Sequence, residues 1–423
     1  MNSVASKLVF VVTILLFRML LDLSYVIFVS PLYSYAGFDL GIDVFDYAMS
    51  WVLFVMSCFL TSHRLNKVSD YFFIIAVLGV VSPISSLYGL SSRGVYPVII
   101  SILSIGLVYL VAKSRLFKAP KIPVFNGGPK LAVTLSSFMV LLLIMWYFAS
   151  GAVGYFNLNL SHVYEFRELS AEKANIGVLA YLNNWVYQVF SIFLFAYALL
   201  KRRFDLAIMV FSIQVFFFGV SAHKSVLFYP LMVLGIWFYF RKTSSLVLVP
   251  MMFFLIVLAS LMSWHFFGDI ITPSLFIRRV FFIPALLTYD YFSFFEGKEH
   301  VFWSNSILSS FIDYPYHTGL NALIGEYNGS DGGANNGYIA SGYAHAGWFG
   351  VLIYSIVFGY IIRFVDVFSK NLPVWFALSI VIVPYRSALI SSDLLTVLLT
   401  HGLFAALVVL VMVRENREVI TIK

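Results

Sequence analysis

The chain has 423 residues, of which 61% are hydrophobic and only 11% charged. A soluble domain carries roughly 25% charged residues, so a water-soluble globule is excluded, and the mean hydropathy of +0.92 points to a polytopic membrane protein. The net charge of +7 is read as the loop bias of a membrane protein rather than as a nucleic-acid footprint.

The first apolar run extends from Leu8 to Val29. It is too long for a signal-peptide core and lacks a clear small-residue cleavage site, so it reads as an uncleaved first span. Further runs follow at about 45–61, 70–90, 94–112, 131–151, 178–200, 206–221, 225–240, 245–264, 347–364, 374–391 and 394–413. At about 20 apolar residues per crossing, this gives about twelve transmembrane helices. The runs are continuous rather than alternating, which excludes a transmembrane β-barrel. The expected fold is therefore all-α, a single transmembrane domain over residues 1–423. The one cysteine, Cys58, lies in an apolar run; it reads as a packing residue and leaves no cysteine cluster for a metal.

Alternating the spans from a cytoplasmic N-terminus puts most of the 27 basic residues in cytoplasmic loops, and this orientation makes both termini cytoplasmic. Two outer segments are then long, at about 152–177 and 265–346. The second is far longer than an ordinary connection and rich in aromatics, unlike a disordered segment. Within it, Phe282, Ala285, Leu286, Tyr289, Phe292 and Phe295 recur at helical spacing. They predict a helix, lying either along the membrane interface or against the bundle.

Six of the eight histidines fall in or beside the outer loops, so the working face is expected to be the outer one. Ser221-Ala222-His223-Lys224 separates two runs of about 15 residues, each reaching about 23 Å against a hydrocarbon core of roughly 30 Å. The turn is expected below the outer surface, where Lys224 either lines a wet, anion-binding crevice or snorkels to the interface. Arg278-Arg279 is a second cationic site, suited to phosphate or to lipid headgroups. Arg167 is a third, either a ligand contact or paired with its neighbours Glu165 and Glu168.

Arg386 reads as buried by pattern, with Asp393 or Asp22 as its partner. Arg18 and Asp22 stand one helical turn apart and are placed to neutralise each other. The polar members Asn335, Asn336 and His345 of the segment Asn335–Gly347 suit hydroxyl-rich ligands, with His345 either a base or a packing residue. Gly329–Gly333 reads as a turn without the ligand count of a metal site. Neither a Walker-type loop nor a dinucleotide fingerprint occurs. Cations suit a pyrophosphate and aromatic faces suit sugar rings; a lipid-linked saccharide carries both.

The stretch Asn335-Asn336-Gly337-Tyr338 through Gly342-Tyr343-Ala344-His345-Ala346-Gly347-Trp348-Phe349-Gly350 resembles the corresponding region of O-antigen polymerases. So do the Ser221–Lys224 turn, Arg278-Arg279-Val280-Phe281 and Tyr164-Glu165-Phe166-Arg167, in that family's order. The resemblance implies an inverting, metal-independent glycosyltransferase without cofactor, multi-pass in a bacterial inner membrane. It would polymerise undecaprenyl-pyrophosphate-linked oligosaccharides at the periplasmic face for lipopolysaccharide, beside a flippase and a chain-length regulator. Lys224, Arg278, Arg279 and His345 are then the candidate catalytic residues. Arg167, His223, Asn335, Asn336 and Tyr343 are the candidate substrate contacts. An O-antigen ligase is the near alternative, since ligases often carry histidine where this chain has Asn335. A polysaccharide flippase is the alternative of another class. The lack of a visible repeat or central linker counts against it.

Overall fold

The computed structural model describes residues 3–114, 120, 122–159, 179–330 and 332–414. Among them the secondary structure is helical, with one isolated bridge, Arg64 to Ser245. Eight helices are long and apolar enough to cross a membrane. They are α1 (Ala5–Ala36), α3 (Val68–Leu90), α4 (Tyr96–Lys113), α5 (Gly128–Ala149), α7 (Phe204–Ser221), α9 (Leu248–Phe267), α10 (Ile271–Phe295) and α12 (Tyr338–Phe368). Between them lie α2 (Val44–Cys58), α6 (179–200), α8 (Lys224–Phe240) and α11 (Leu320–Tyr327). The C-terminal part comprises α13 (Val374–Ile390), α14 (Leu394–Leu399) and α15 (Leu403–Met412).

Three departures from the apolar-run pattern matter. The helix expected within the outer loop is real, but at 25 residues α10 is itself long and apolar enough to span. Its predicted face is buried against other helices: Phe281 packs on Phe17 and Phe253, and Phe282 on Tyr25. The last run, expected as one span, is broken into α14 and α15 around Thr400–Gly402. The helices flanking Ser221–Lys224 have 18 and 17 residues rather than about 15. At 1.5 Å per residue they reach about 27 and 26 Å, so the turn needs less recession than the apolar runs imply.

The chain divides into two compact units that interleave in sequence. One comprises residues 1–118, 245–363 and 388–394, the other 119–244, 364–387 and 395–423. In the first, α1 packs on α9, and α2 on the second half of α3. The outer stripe of α1, Leu8, Val12, Leu16, Met19 and Leu23, stays exposed at helical spacing, while Phe10, Ile14, Phe17 and Leu21 are buried. Water would not tolerate that stripe; lipid covers it. Asp43 opens α2 by accepting from the Phe45 and Asp46 amides at 2.8 and 3.0 Å, the usual side-chain cap.

Inside this unit the Arg18–Asp22 pair forms as its spacing predicts, with Nε to Oδ1 at 3.1 Å. Arg18 is fully buried; it also donates to the Ser82 carbonyl and to Ser50, and lies over Trp51 and Phe54. Asp22 accepts in addition from Ser86 at 2.6 Å and Tyr47 at 3.3 Å. Arg386, expected to be buried beside an acid, is exposed instead.

In the second unit α6 packs on α5, α7 and α8. Gly219 on α7 leaves room for Phe156, whose ring a β-carbon there would meet at 2.3 Å. Across both units, four π-helical turns interrupt the ladders among the described residues, at Tyr25–Val29, Val77–Val81, Val186–Phe190 and Ser274–Phe282. Such turns are often found at functional sites.

Candidate functional site

The cationic pair lies in the longest π-helical turn, Ser274–Phe282, on α10. Arg278 is half-buried, with its guanidinium 4.2 Å from the centre of the Tyr33 ring and its Nε donating to Ser274 Oγ at 3.2 Å. Arg279 is exposed. Among the described residues neither has a carboxylate within ion-pair reach. Two adjacent arginines left uncompensated in this way suit an anion that both can grip.

Farther along α10, Phe292 stacks on Tyr343 at 3.8 Å and 9°. Tyr96 meets both edge-on, at 5.8 and 6.3 Å. Tyr343 is half-buried and Tyr96 exposed, so part of this aromatic face is open. Arg278 and Phe292 are on one helix, about 20 Å apart at 1.5 Å per residue. Asn336 fixes the geometry between α10 and the start of α12. Its amide donates to the Pro284 carbonyl and to Thr288 at 3.0 Å each, and its Oδ1 accepts from the Gly337 amide. Gly337 lies against the Leu389 carbonyl, which a β-carbon would meet at 2.0 Å. Asn335 is exposed.

The segment after α10 packs onto the end of that helix: Val301, Leu323 and Ile324 are buried in one cluster with Tyr291, Phe294 and Phe295. The aromatics that argue against disorder in this stretch therefore form its packing. His300 stands over Phe295 at 5.8 Å and edge-on to Tyr343 at 6.0 Å. Burial pushes its pKa below the ordinary 6.5, partly offset by the Ala344 carbonyl. Burial likewise raises the Tyr314 and Tyr316 phenols. The unfolded chain takes up a proton on this imidazole at a higher pH than the folded chain does. Stability is thus fully present above about pH 6.5 and declines as pH falls through the folded value. The melting temperature should drop on acidification from pH 7 to 5, and less steeply in a His300→Gln variant. Equal slopes in the two proteins would contradict this account.

His345 precedes a break in α12: Ala346 and Gly347 leave helical backbone, Gly347 at φ 58° and ψ −145°. Positive φ favours glycine, and a β-carbon there would also lie 3.3 Å from His300 Nε2. Two carbonyls at the break are taken by Val301 and Phe302. Val301 N donates to Ala344 O at 3.0 Å, and Phe302 N to His345 O at 2.9 Å. Trp303 N donates to His345 Nδ1 at 3.2 Å. Phe302 and Trp303 adopt left-handed backbone, φ 47° and 58°, a strained choice for aromatic residues.

The His345 ring stacks on the Trp303 indole at 5.0 Å and 13°. Its Nε2 faces Asp393 Oδ2 at 3.1 Å, and Tyr354 donates to the same oxygen at 2.8 Å. The Trp303 indole donates to the Tyr354 hydroxyl at 2.9 Å. Both ring nitrogens of His345 are engaged and the residue is buried. Asp393, Tyr354 and Trp303 were not legible as candidates. The one available signal was the glycine directly after His345-Ala346, which marks a helix break.

In the second unit, Ala222 adopts left-handed backbone (φ 54°), His223 is extended, and exposed Lys224 opens α8. Beside this turn lies a buried polar set. Gln214 donates to the Tyr187 carbonyl at 3.1 Å and to Ser191 at 2.8 Å, and Tyr147 donates to Asn183 at 3.0 Å. The structure thus gathers Arg278, Arg279, Asn335, Asn336, Tyr343 and His345 into one unit, while His223 and Lys224 belong to the other. Arg167 lies outside the described residues. Among the described residues no three of His, Cys, Asp and Glu converge as metal ligands. Comparison with protein-family models, with curated proteins and with solved structures returns no match.

Proposed function

We propose that this integral membrane protein is an O-antigen polymerase. It transfers a saccharide from undecaprenyl pyrophosphate to the end unit of a second lipid-linked saccharide, at the periplasmic face of a bacterial inner membrane. The observation that carries the reading is the layout of α10. An arginine couple with no carboxylate in ion-pair reach among the described residues stands near one end, and a stacked aromatic face stands about 20 Å away, the scale of a pyrophosphate with a few sugars attached. Order of motifs along the sequence adds the family resemblance.

In this reading Arg278 and Arg279 grip the pyrophosphate and stabilise the charge that gathers on it as the glycosidic carbon departs. Half-buried Tyr343 and exposed Tyr96 offer the open part of the aromatic face to sugar rings, and exposed Asn335 offers an amide to their hydroxyl groups, while buried Asn336 holds this segment on α10. Lys224, His223 and Arg167 enter this reading through the family resemblance alone. Holding donor and acceptor together supplies much of the acceleration. A flippase delivers the units and a chain-length regulator sets the product size.

The test is a surface-polysaccharide gel from a strain deleted for this chain, with and without complementation. A single repeat on each lipid core in place of a ladder supports polymerisation. Complete loss of core-attached polysaccharide, with polymer accumulating on its lipid carrier, assigns ligation instead. An unchanged ladder, together with flipping of lipid-linked saccharide by the protein in liposomes, assigns transport.

A further inference from the structure

In the first unit α1 outruns its neighbours. Tyr47 and Ser86 both donate to the Asp22 carboxylate, which sets them about level with that residue. Helix α2 begins at Val44 and α3 ends at Leu90, each about one helical turn beyond that level. Helix α1 runs on to Ala36. Where the neighbours stop, a cavity of about 310 Å³ opens, lined by Met19, Leu23 and Val26 of α1 and by Ile42, with Asp22 and Tyr47 as its two polar residues. Asp22 accepts from Arg18, Ser86 and Tyr47, so these polar groups are engaged with one another, and a guest meets mainly hydrocarbon. Met19 and Leu23 are 57% and 49% exposed and belong to the stripe of α1 that lipid covers. The cavity therefore opens sideways onto lipid. At roughly 30 Å³ per group of water's size, it takes about ten carbons, or two isoprene units. The same helix carries the arginine contact: Arg278 lies over Tyr33, near the end of α1, while Met19–Val26 lie in its middle. From Tyr33 to Val26 is about 10 Å along the helix at 1.5 Å per residue.

We infer that this cavity seats a stretch of the polyprenyl tail of the carrier whose pyrophosphate Arg278 and Arg279 hold. The inference rests on the polymerase reading and deepens it, since that reading places the head and the sugars of the substrate but not its lipid. An amphiphile needs a charged grip near the end of a spanning helix and an apolar seat deeper along it, and α1 offers both in that order. Charge favours this occupant over a bulk phospholipid: two arginines meet two phosphates in a pyrophosphate and one in a phospholipid. Between lipid and protein a tail gains packing and not escape from water, so the seat adds modestly to affinity. Its larger effect is positional, because a tail held in protein limits where the pyrophosphate and its first sugar can stand.

Leu23→Trp and Val26→Phe each fill the cavity without removing a side-chain hydrogen bond. Leu16→Trp, on the same exposed stripe but outside the cavity, is the control. The full-length protein in phosphatidylcholine nanodiscs is titrated with undecaprenyl pyrophosphate or with isopentenyl pyrophosphate, and the complexes are measured by native mass spectrometry. The single isoprene unit of the second compound is too short to reach from the arginines to the cavity. L23W and V26F are expected to weaken binding of undecaprenyl pyrophosphate about tenfold, the scale of a cluster of lost packing contacts. Both should bind isopentenyl pyrophosphate as the wild type does, and L16W should match the wild type with either compound. Undecaprenyl pyrophosphate bound at wild-type strength by both variants overturns the inference and leaves the polymerase reading standing. Equal weakening of the two compounds also overturns it, since the substitutions then act on the head site. Phosphatidylcholine retained by the wild type and lost from L23W, with undecaprenyl pyrophosphate binding unchanged, gives the cavity to bulk lipid instead. A wild type that binds undecaprenyl pyrophosphate no better than the Arg278→Ala, Arg279→Ala double variant overturns the pyrophosphate site of the polymerase reading, and the inference falls with it.

Discussion

Replacing Arg278 and Arg279 together by alanine is expected to abolish long surface polysaccharide while the protein still accumulates in the membrane. Neither side chain neutralises an acid among the described residues, so their removal leaves no buried charge behind. Arg278 is the more tightly placed of the two, stacked on Tyr33 and tied to Ser274. Losing one preorganised donor to a developing anion costs about 100- to 1,000-fold in rate, so the double variant should fall below detection on a ladder gel. A substitution to lysine at Arg278 should recover little, because an ammonium keeps the charge but not the planar fork. Wild-type ladders from the double variant would remove the pyrophosphate site from this helix. Lys224→Ala provides a parallel test of the second unit. A ladder of normal length there would confine the reaction to the first.

The second large effect is on stability, at Arg18 and Asp22. Taking away one partner of a buried ion pair typically costs 3–5 kcal/mol, because the other charge is left in an apolar setting (about that range). Asp22→Ala leaves the fully buried guanidinium with the Ser82 carbonyl and Ser50. Arg18→Met leaves the carboxylate with Ser86 and Tyr47. Either change should sharply lower the melting temperature in detergent and the yield of inserted protein. The double variant Arg18→Met with Asp22→Leu should recover most of the loss, since two apolar groups need no compensation. If a single variant melts with the wild type, the pair contributes nothing to the fold.

Much of the architecture is local in origin and so can be read from the chain. Length and continuity of apolar residues mark α1, α3 and α4, and lipid requires nothing more specific of a spanning helix. Arg18 and Asp22 are four residues apart, so helix geometry alone brings them together. The buried face of α10 follows the helical period of Phe282, Ala285, Tyr289 and Phe292. What covers that face is a different matter. Periodicity shows that a helix has an apolar side, but lipid and protein are equally apolar partners. The choice fell to Phe17, Tyr25 and Phe253, from distant segments.

Charge pattern misled at Arg386, because the hydropathy of its surroundings says a residue is in a span and not which side of the helix it takes. It also overstated the recession of the Ser221–Lys224 turn: Phe204, Asp205 and Lys224 extend the flanking helices although two of the three are charged. Helical hydrogen bonding continues past the apolar limit of a run, since the backbone is satisfied regardless of the side chain.

Composition and sequence order by themselves determined that this chain is an integral membrane protein of many helices, with cations and aromatics spread along its late segments. Those properties are sums over neighbouring residues, and a lipid solvent acts on such sums. The tertiary structure alone decided that Asp393 meets His345, 48 positions earlier, and that Tyr354 joins them under Trp303. It alone set Phe302 and Trp303 in a left-handed backbone that their residue types do not signal. Contacts of that kind pair groups remote in sequence with no period to reveal them. They exist only once the break at Gly347 has released carbonyls for another segment to take.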